Sequence, residues 1–262
     1  MKNKSSEIQV TIVLPVYNEG KNIKKVLQEF AKQINIDFYL FLVYDSEEDN
    51  TIPAVMEIKK SLPFSVNLLK NKYGSGALNA IKTGIENAKT EFVIISMADL
   101  SDSPDTINMM YKFAQDKNAD IVCASRYSSG GQQIGGPFLK SLMSKTAAKI
   151  LYYFAALPTL DPTNNFKLYR RKIFDEISIE SKGGFELALE IVVKAREKNL
   201  VILDIPSVWR DREAGKSNFH LKKWLPSYLF WFFRAFRNKK AIIRCFKILT
   251  FVLLFLLVIF KY

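Results

Sequence analysis

The chain has 262 residues, of which 48% are hydrophobic, and a formal net charge of +12; this permits one sizeable core with appendages and excludes an intrinsically disordered chain. Two cysteines, Cys123 in an apolar run and Cys245 in a basic one, make neither a metal set nor a disulfide framework and read as packing residues. The charge points to an anionic partner: nucleic acid, a membrane surface or a phosphorylated substrate. Arg234, Arg237, Lys239, Lys240, Arg244 and Lys247 crowd just ahead of a hydrophobic C-terminal run, so the expected partner is a membrane surface and not nucleic acid.

In chain order, Ile8 to Leu14 reads as a strand and Pro15-Val16-Tyr17-Asn18-Glu19-Gly20 as a turn. About Lys21 to Gln33 reads as an amphipathic helix with Ile23, Val26, Leu27 and Phe30 on one face. Phe38 to Tyr44 is a second apolar strand, ending in the acidic turn Asp45-Ser46-Glu47-Glu48-Asp49-Asn50-Thr51, where Asp49 or Thr51 can cap a helix reaching Lys60. Phe64 to Leu69 gives a third strand. The loop Asn71-Lys72-Tyr73-Gly74-Ser75-Gly76 then leads into a helix with Ala77, Leu78, Ile81 and Ile85 facing inward. Such a loop can turn backbone N–H groups toward a phosphate. Its glycine spacing fits neither the dinucleotide fingerprint nor the P-loop, and an ordinary turn is the competing reading.

Phe92 to Met97 reads as a buried strand that stops at a carboxylate, Asp99. Ser103-Pro104 predicts an N-cap followed by proline at the first position of a helix running to about Lys117. Ala119 to Ser125 is the next strand. This alternation predicts an α/β fold with a mostly parallel, doubly wound sheet, and it puts Glu19, Asp45 and Asp99 at the carboxyl edge, where ligands bind in open α/β sheets. After Arg126-Tyr127 comes a Gly-rich loop, Ser128 to Pro137, suited to an active-site lid, and then a helix carrying Lys140, Ser144 and Lys145.

Asp161-Pro162-Thr163-Asn164-Asn165 reads as a turn and Phe166 to Tyr169 as a short strand. Gly183-Gly184-Phe185-Glu186 opens an apolar helix to about Glu197, and Leu200 to Trp209 is the last strand. It closes on the basic loop Arg210 to Ser217, which reads either as a diphosphate grip or as a solvated surface loop. Leu221 to Phe236, rich in Trp, Tyr and Phe with scattered Lys and Arg, fits an interfacial helix. Ala241 to Phe260 supplies 20 residues, about 30 Å of helix. The expectation is a single transmembrane helix with its basic flank cytoplasmic and Arg244 and Lys247 snorkelling; a helix buried in a homo-oligomer is the alternative. No secretory signal is expected, because polar Ser5-Ser6-Glu7 follows Lys2 and Lys4. The expected organisation is a catalytic domain over 1–218, an amphipathic juxtamembrane helix over 219–240 and a transmembrane helix over 241–262.

Six motifs occur in one order: Pro15-Val16-Tyr17-Asn18-Glu19, the Asp-rich turn from Asp45, Ala98-Asp99-Leu100-Ser101, Ser125-Arg126-Tyr127 before Gly130-Gly131, Asn165-Phe166-Lys167-Leu168-Tyr169-Arg170-Arg171, and Asp211-Arg212 with Gly215-Lys216-Ser217. Together, from about residue 8 to 218, they resemble glycosyltransferase family 2, most of all the dolichol-phosphate mannose synthase branch that charges polyprenyl phosphates. The resemblance implies a GT-A fold with a nucleotide-sugar-binding half followed by an acceptor half.

It also implies roles. Pro15, Tyr17 and Glu19 match the segment lining the nucleoside pocket, and Asp45 matches an acid that reads the base or ribose, with Asp49 and Thr51 completing that motif. Asp99 matches the second Asp of the Asp-x-Asp element that holds Mg²⁺ or Mn²⁺ on the donor diphosphate, with Ala98 in the nucleotide-sugar site and Ser101 beside the metal. Arg126, Lys140 and Ser144 fall where the family presents groups to the acceptor phosphate; Arg212, with Lys216, falls where the donor diphosphate is approached. Lys140 stands where arginine is usual and offers a point charge instead of a bidentate fork. Met97 replaces the first Asp of the metal element, and Tyr44 the first of the paired acids after the second strand. Such ions keep several waters and bind through one or two carboxylates plus substrate phosphates, so Asp99 can suffice, and Asp102 is a substitute ligand.

The implied activity is inverting transfer from a nucleotide sugar to a polyprenyl phosphate at the cytoplasmic membrane face, aided by the interfacial helix or a partner protein. An ionised lipid phosphate requires no general base. A sugar hydroxyl on a glycan or glycolipid, the second reading, requires one. Glu186 is the nearest candidate, and its competing role is a first-turn acid complementing the helix dipole. The third reading is a non-catalytic nucleotide-sugar-binding scaffold at the membrane. His220, beside the hydrophobic tail, is not expected to be catalytic.

Overall fold

The computed structural model describes residues 8–211, 221–237 and 243; the Ala241–Phe260 run falls almost wholly outside them, and no helix among the described residues is long and apolar enough to cross a membrane. Apolar runs bounded by turns form β1 (Val10–Pro15), β2 (Phe38–Tyr44), β3 (Ser65–Lys70), β4 (Phe92–Ile95) and β5 (Ile121–Ser125). Between them lie α1 (Ile23–Gln33), α2 (Thr51–Ile58), α3 (Ala77–Asn87) and α4 (Thr106–Asp116). The chain continues through β6 (Gln132–Ile134), α5 (Phe138–Tyr153), β7 (Lys167–Arg170), α6 (Leu187–Glu197), β8 (Ile202–Pro206), β9 (Val208–Arg210) and α7 (Leu221–Ala235).

Seven strands form the main sheet in the order β3-β2-β1-β4-β7-β5-β8. All neighbours run parallel except β7, which is antiparallel to both β4 and β5. Strand period two divides the core between the two faces. From β1, Ile12 and Leu14 pack with α1 residues Ile23, Leu27 and Phe30 on one face. Val13 points the other way, toward Ile81 and Ile85 of α3. Gly84 is what lets α3 lie so close, since a Cβ there would run into the Val13 side chain.

The antiparallel β7 places its N-terminal end, Lys167, opposite Ile95 at the end of β4. The turn that precedes it, Asp161 to Asn165, is therefore delivered to the edge where β4 and β5 end. Lys167 is fully buried, and its ammonium donates to the carbonyls of Asp161 (3.1 Å) and Asn164, stitching that turn closed.

Four local expectations are corrected. Helix α4 starts at Thr106 with Asp105 at the N-cap, not at Pro104; the carbonyls of Ser103 and Pro104 accept from Thr106 and Ile107, so these residues form the preceding turn. The 200–209 run is two strands. β8 pairs with β5 in the main sheet, while β9 pairs with β6 in a separate two-stranded sheet, because Ser207 bonds outward to Ser125 O and Gln132 N on both sides of the break. The expected lid loop therefore contains a paired strand, β6, framed by Gly130, Gly135 and Gly136 at positive φ. Finally, α6 begins at Leu187 and not at the Gly-Gly pair, with Glu186 at its N-cap.

Candidate active site

The turns that follow β1 and β2 are joined by hydrogen bonds. Asp49 accepts from the backbone N–H of Asn18 with both oxygens, each at 3.1 Å, and from Thr51 N at 2.8 Å. Thr51 Oγ1 accepts from Glu19 N at 2.9 Å, and Asn50 Oδ1 from Gly20 N at 2.8 Å. The turn after β1, with Asn18 at φ 55°, is thus held by three consecutive side chains of the turn after β2. Tyr17 projects from it, 63% exposed, beside the buried Pro15, and the Glu19 carboxylate accepts from Asn22 Nδ2. Asp45 is committed to the glycine loop: its two oxygens accept from Asn71 Nδ2 (2.8 Å) and Gly76 N (2.9 Å). Tyr44, where an acid was expected, bonds Glu47 through its hydroxyl. Asp45 therefore ties the glycine loop to the end of β2.

Past the end of β4, Ala98 is buried and Asp99 half-buried. Asp99 Oδ1 accepts from both Ser101 N (3.0 Å) and Ser101 Oγ (2.6 Å), an Asx turn that fixes the carboxylate before Leu100 takes up φ 54°. Met97 brings no second carboxylate, and no group of three or more His, Cys, Asp or Glu able to hold a metal occurs among the described residues. What is present fits a hard cation that draws most ligands from water and substrate phosphate, through Asp99 with Ser101 alongside. Asp102 is nearly buried and accepts from Asn164 Nδ2 at 3.3 Å. Burial pushes its carboxyl up to about 7, against the pull of Asn164 and Arg126. Its backbone bridges to Trp209, and Arg210 N donates to Ser101 O at 2.8 Å. Strand β9 thus carries the chain alongside Asp99 just before Arg212 and Lys216, which lie outside the described residues.

Arg126 follows β5. Its Nε (2.7 Å) and Nη2 (2.9 Å) grip the fully buried Asp161 carboxylate bidentately, and its backbone N–H donates to the same group at 3.0 Å. The guanidinium lies over the Tyr127 ring, 4.9 Å from its centroid. Burial works against the guanidinium charge, and Asp161 more than offsets that, raising its pKa further. Nη2 reaches Thr163 Oγ1 at 3.5 Å, and Thr163 in turn meets Ser144 Oγ of α5 at 3.1 Å. The structure thus brings Arg126 and Ser144 into one cluster, with Lys140 one turn before Ser144 on the same helix.

Asp161, Thr163 and Asn164 enter this cluster although the sequence showed them only as a turn; the signal was that this turn abuts the Asn165 to Arg171 motif. Glu186 is completely buried, and its two oxygens accept from the N–H groups of Gly183 (2.8 Å) and Gly184 (2.9 Å). It braces the Gly183-Gly184 turn ahead of α6 and makes no capping hydrogen bond to the helix itself.

The carboxyl edge of the sheet, where ligands bind in doubly wound α/β folds, thus carries the turn held by Asp49, Asn50 and Thr51, the Asp99–Ser101 turn and the Asp161-locked Arg126. The chain belongs to glycosyl transferase family 2, whose profile matches residues 11–178. It is 25% identical over 215 residues to the dolichol-phosphate mannosyltransferase of Pyrococcus furiosus, covering 80% of this chain and 59% of that relative. It is 25% identical over 217 residues to the polyprenol monophosphomannose synthase of Mycolicibacterium smegmatis, covering 79% of each. Among solved structures, the mannosyltransferase PcManGT of Pyrobaculum calidifontis, in complex with GDP-Man and Mn²⁺, superposes with TM-score 0.65 at 19% identity, covering 89% of this chain and 66% of that one. Glucosyl-3-phosphoglycerate synthase of Mycobacterium tuberculosis, with Mn²⁺ and UDP, gives 0.65 at 12% identity, covering 92% and 81%. These likenesses establish the GT-A-like α/β fold.

Proposed function

We propose that the chain is an inverting glycosyltransferase that moves a sugar from a nucleotide sugar to a polyprenyl phosphate at a membrane surface. The observation that carries this reading is the Arg126 cluster: the guanidinium is locked in place by Asp161, and the Ser144 and Thr163 hydroxyls stand beside it. That is an anion receptor separate from the donor half, and the names of both curated relatives point to a lipid-phosphate acceptor. The buried, doubly engaged Glu186 weighs against a hydroxyl acceptor, which requires a base.

In this reading Tyr17, Glu19 and the Asp45-braced loop bind the nucleoside, while Arg126, Lys140 and Ser144 orient the acceptor phosphate. One phosphate oxygen forms its bond to the anomeric carbon as the bond to the nucleoside diphosphate breaks on the opposite face, inverting the centre. No proton is transferred. Arg212 and Lys216, which lie outside the described residues, are assigned to the departing diphosphate on the family resemblance alone. Mg²⁺ or Mn²⁺ at Asp99 would neutralise charge on that diphosphate.

The test is transfer from a panel of nucleotide sugars to polyprenyl phosphate in liposomes, with and without Mg²⁺ or Mn²⁺, for wild type, Asp99→Ala and Arg126→Ala. The expected result is metal-dependent product, abolished by Asp99→Ala, with Arg126→Ala raising the lipid KM. Product on a glycan hydroxyl but none on lipid phosphate overturns the acceptor; no product while nucleotide still binds turns the chain into a scaffold.

A further inference from the structure

Gln133 stands in the short sheet beside the main one, and both ends of its amide are engaged. The Tyr127 hydroxyl donates to Oε1 at 3.1 Å, and Nε2 donates to Ser141 Oγ in the first turn of α5 at 2.6 Å. Tyr127 is the residue whose ring lies beneath the Arg126 guanidinium. Ser141 lies one turn before Ser144, so both hydroxyls share one face of α5, with Ser144 meeting Thr163. Gln133 thus ties the Arg126 side of the site to helix α5. A carboxamide does this with one side chain because it carries an acceptor and a donor side by side.

The backbone of the same residue reaches the donor side. In β6 it pairs with Trp209 of β9, and Ile134 with Arg210. Trp209 in turn bridges to Asp102, and Arg210 N donates to Ser101 O at 2.8 Å, which holds β9 on the turn that carries Asp99. Cross-strand partners put their side chains on the same face. A Cβ on Gly136 would lie 3.3 Å from the Trp209 ring and 3.5 Å from Gln133 Nε2, so this glycine, at φ 81°, lets the loop close over both side chains. Three parts that lie apart in the sequence, the Asp99–Ser101 turn, the Arg126–Tyr127 pair and α5, therefore meet at one half-buried glutamine.

We infer that Gln133 is a positioning residue for transfer: it holds the acceptor-side groups, Arg126 and the Ser144 face of α5, at a fixed place relative to the donor turn. The inference rests on the reading of Arg126 as acceptor-binding and adds the residue that sets its separation from the Asp99–Ser101 turn. Two bound reactants react fast only when the attacking oxygen and the anomeric carbon are held in near-attack geometry, and a misplacement of about 1 Å can cost on the order of 100-fold. Gln133 acts through Tyr127, Ser141 and Trp209. Its loss should therefore leave the donor bound and slow the step between the two substrates.

The test is transfer kinetics of the full chain in liposomes, with nucleotide sugar and polyprenyl phosphate each varied and urea midpoints measured alongside. The variants are Gln133→Leu, Gln133→Glu, Tyr127→Phe and Tyr127→Phe combined with Gln133→Leu. Gln133→Leu is expected to lower kcat about tenfold or more, while the donor KM stays within about twofold and the urea midpoint holds. Gln133→Glu, whose two oxygens can accept from both hydroxyls, is expected to keep kcat and to raise only the lipid KM through its charge. The double variant should be no slower than Gln133→Leu, because both changes break the same hydrogen bond. An unchanged kcat in Gln133→Leu overturns the inference, as does an equal kcat loss in Gln133→Glu or a double variant whose losses multiply. Product on a glycan hydroxyl with none on lipid phosphate is instead the failure of the acceptor reading, and the same variants are then judged by the same criteria on that acceptor. A wild type that transfers to neither overturns both.

Discussion

Replacing Asp161 by alanine leaves the Arg126 guanidinium, whose side chain is only 13% exposed, without its counterion. The substitution removes acceptors for Arg126 N, Nε and Nη2 and for Asn164 N in one step. Removing one partner of a buried ion pair costs about 3–5 kcal/mol. With a urea slope of about 3 kcal/mol/M, the midpoint falls by about 1–1.7 M. Asp161→Asn keeps one acceptor oxygen but no charge, and the expected loss is about half of that. The assay is urea unfolding in detergent followed by tryptophan fluorescence, run for Asp161→Ala, Arg126→Ala and the double variant. The double variant is expected to be more stable than the sum of the single losses allows, by about 2 kcal/mol, because no charge is then left stranded. A shift below about 0.3 M for Asp161→Ala, with strict additivity in the double, would refute the argument that Asp161 holds Arg126 in place.

Three further outcomes are expected. Gly84→Ala drives a methyl into Val13, and overpacking should cost about 1–3 kcal/mol in thermal or urea unfolding while leaving donor affinity intact. Glu186→Gln loses a charge-assisted brace on the Gly183-Gly184 turn; stability should fall by about 1–2 kcal/mol while kcat for lipid phosphate stays within a few-fold, and a kcat collapse at unchanged stability would restore Glu186 as a base. Asp45→Ala releases Asn71 and Gly76, so nucleotide dissociation measured by calorimetry should weaken about tenfold with little change in lipid KM.

Most strands were legible because their apolar runs are bounded by acids, glycines and prolines, and the alternation with amphipathic helices gave the parallel sheet. The direction of β7 was not. Four residues with a lysine in their midst carry no local signal of orientation; pairing with Ile95 and Cys123 on two neighbours decides it. The same pairing carries Asp161 to Arg126, so the ion pair was illegible for the reason that it is non-local. Asp45 and Asp49 were legible as acids following a strand, but their hydrogen bonds to Gly76 and Asn18 depend on where two distant strand ends meet. The apolar residues of α5 were visible in the sequence, yet whether they face the core or solvent is set by Ser144 and Leu151, which choose the buried side.

The charges around Arg126 carry one further consequence. Asp99, Asp102 and Asp161 all act on the same neighbourhood, and Asp102 feels both other carboxylates and the guanidinium. With Asp161 neutralising Arg126 outright, Asp99 is left to set the local sign, and Asp102, held near neutrality in its titration by burial, adds to it as pH rises. An acceptor phosphate approaching along α5 therefore meets a guanidinium whose charge Asp161 already balances. On the lipid-phosphate reading, further attraction is expected from Lys140 and from a cation at Asp99. On this argument one carboxylate at the metal position is an electrostatic necessity more than a defect. A second carboxylate at position 97 would deepen the negative field beside a receptor already occupied by Asp161, so Met97→Asp should tighten Mn²⁺ binding while raising the KM for lipid phosphate.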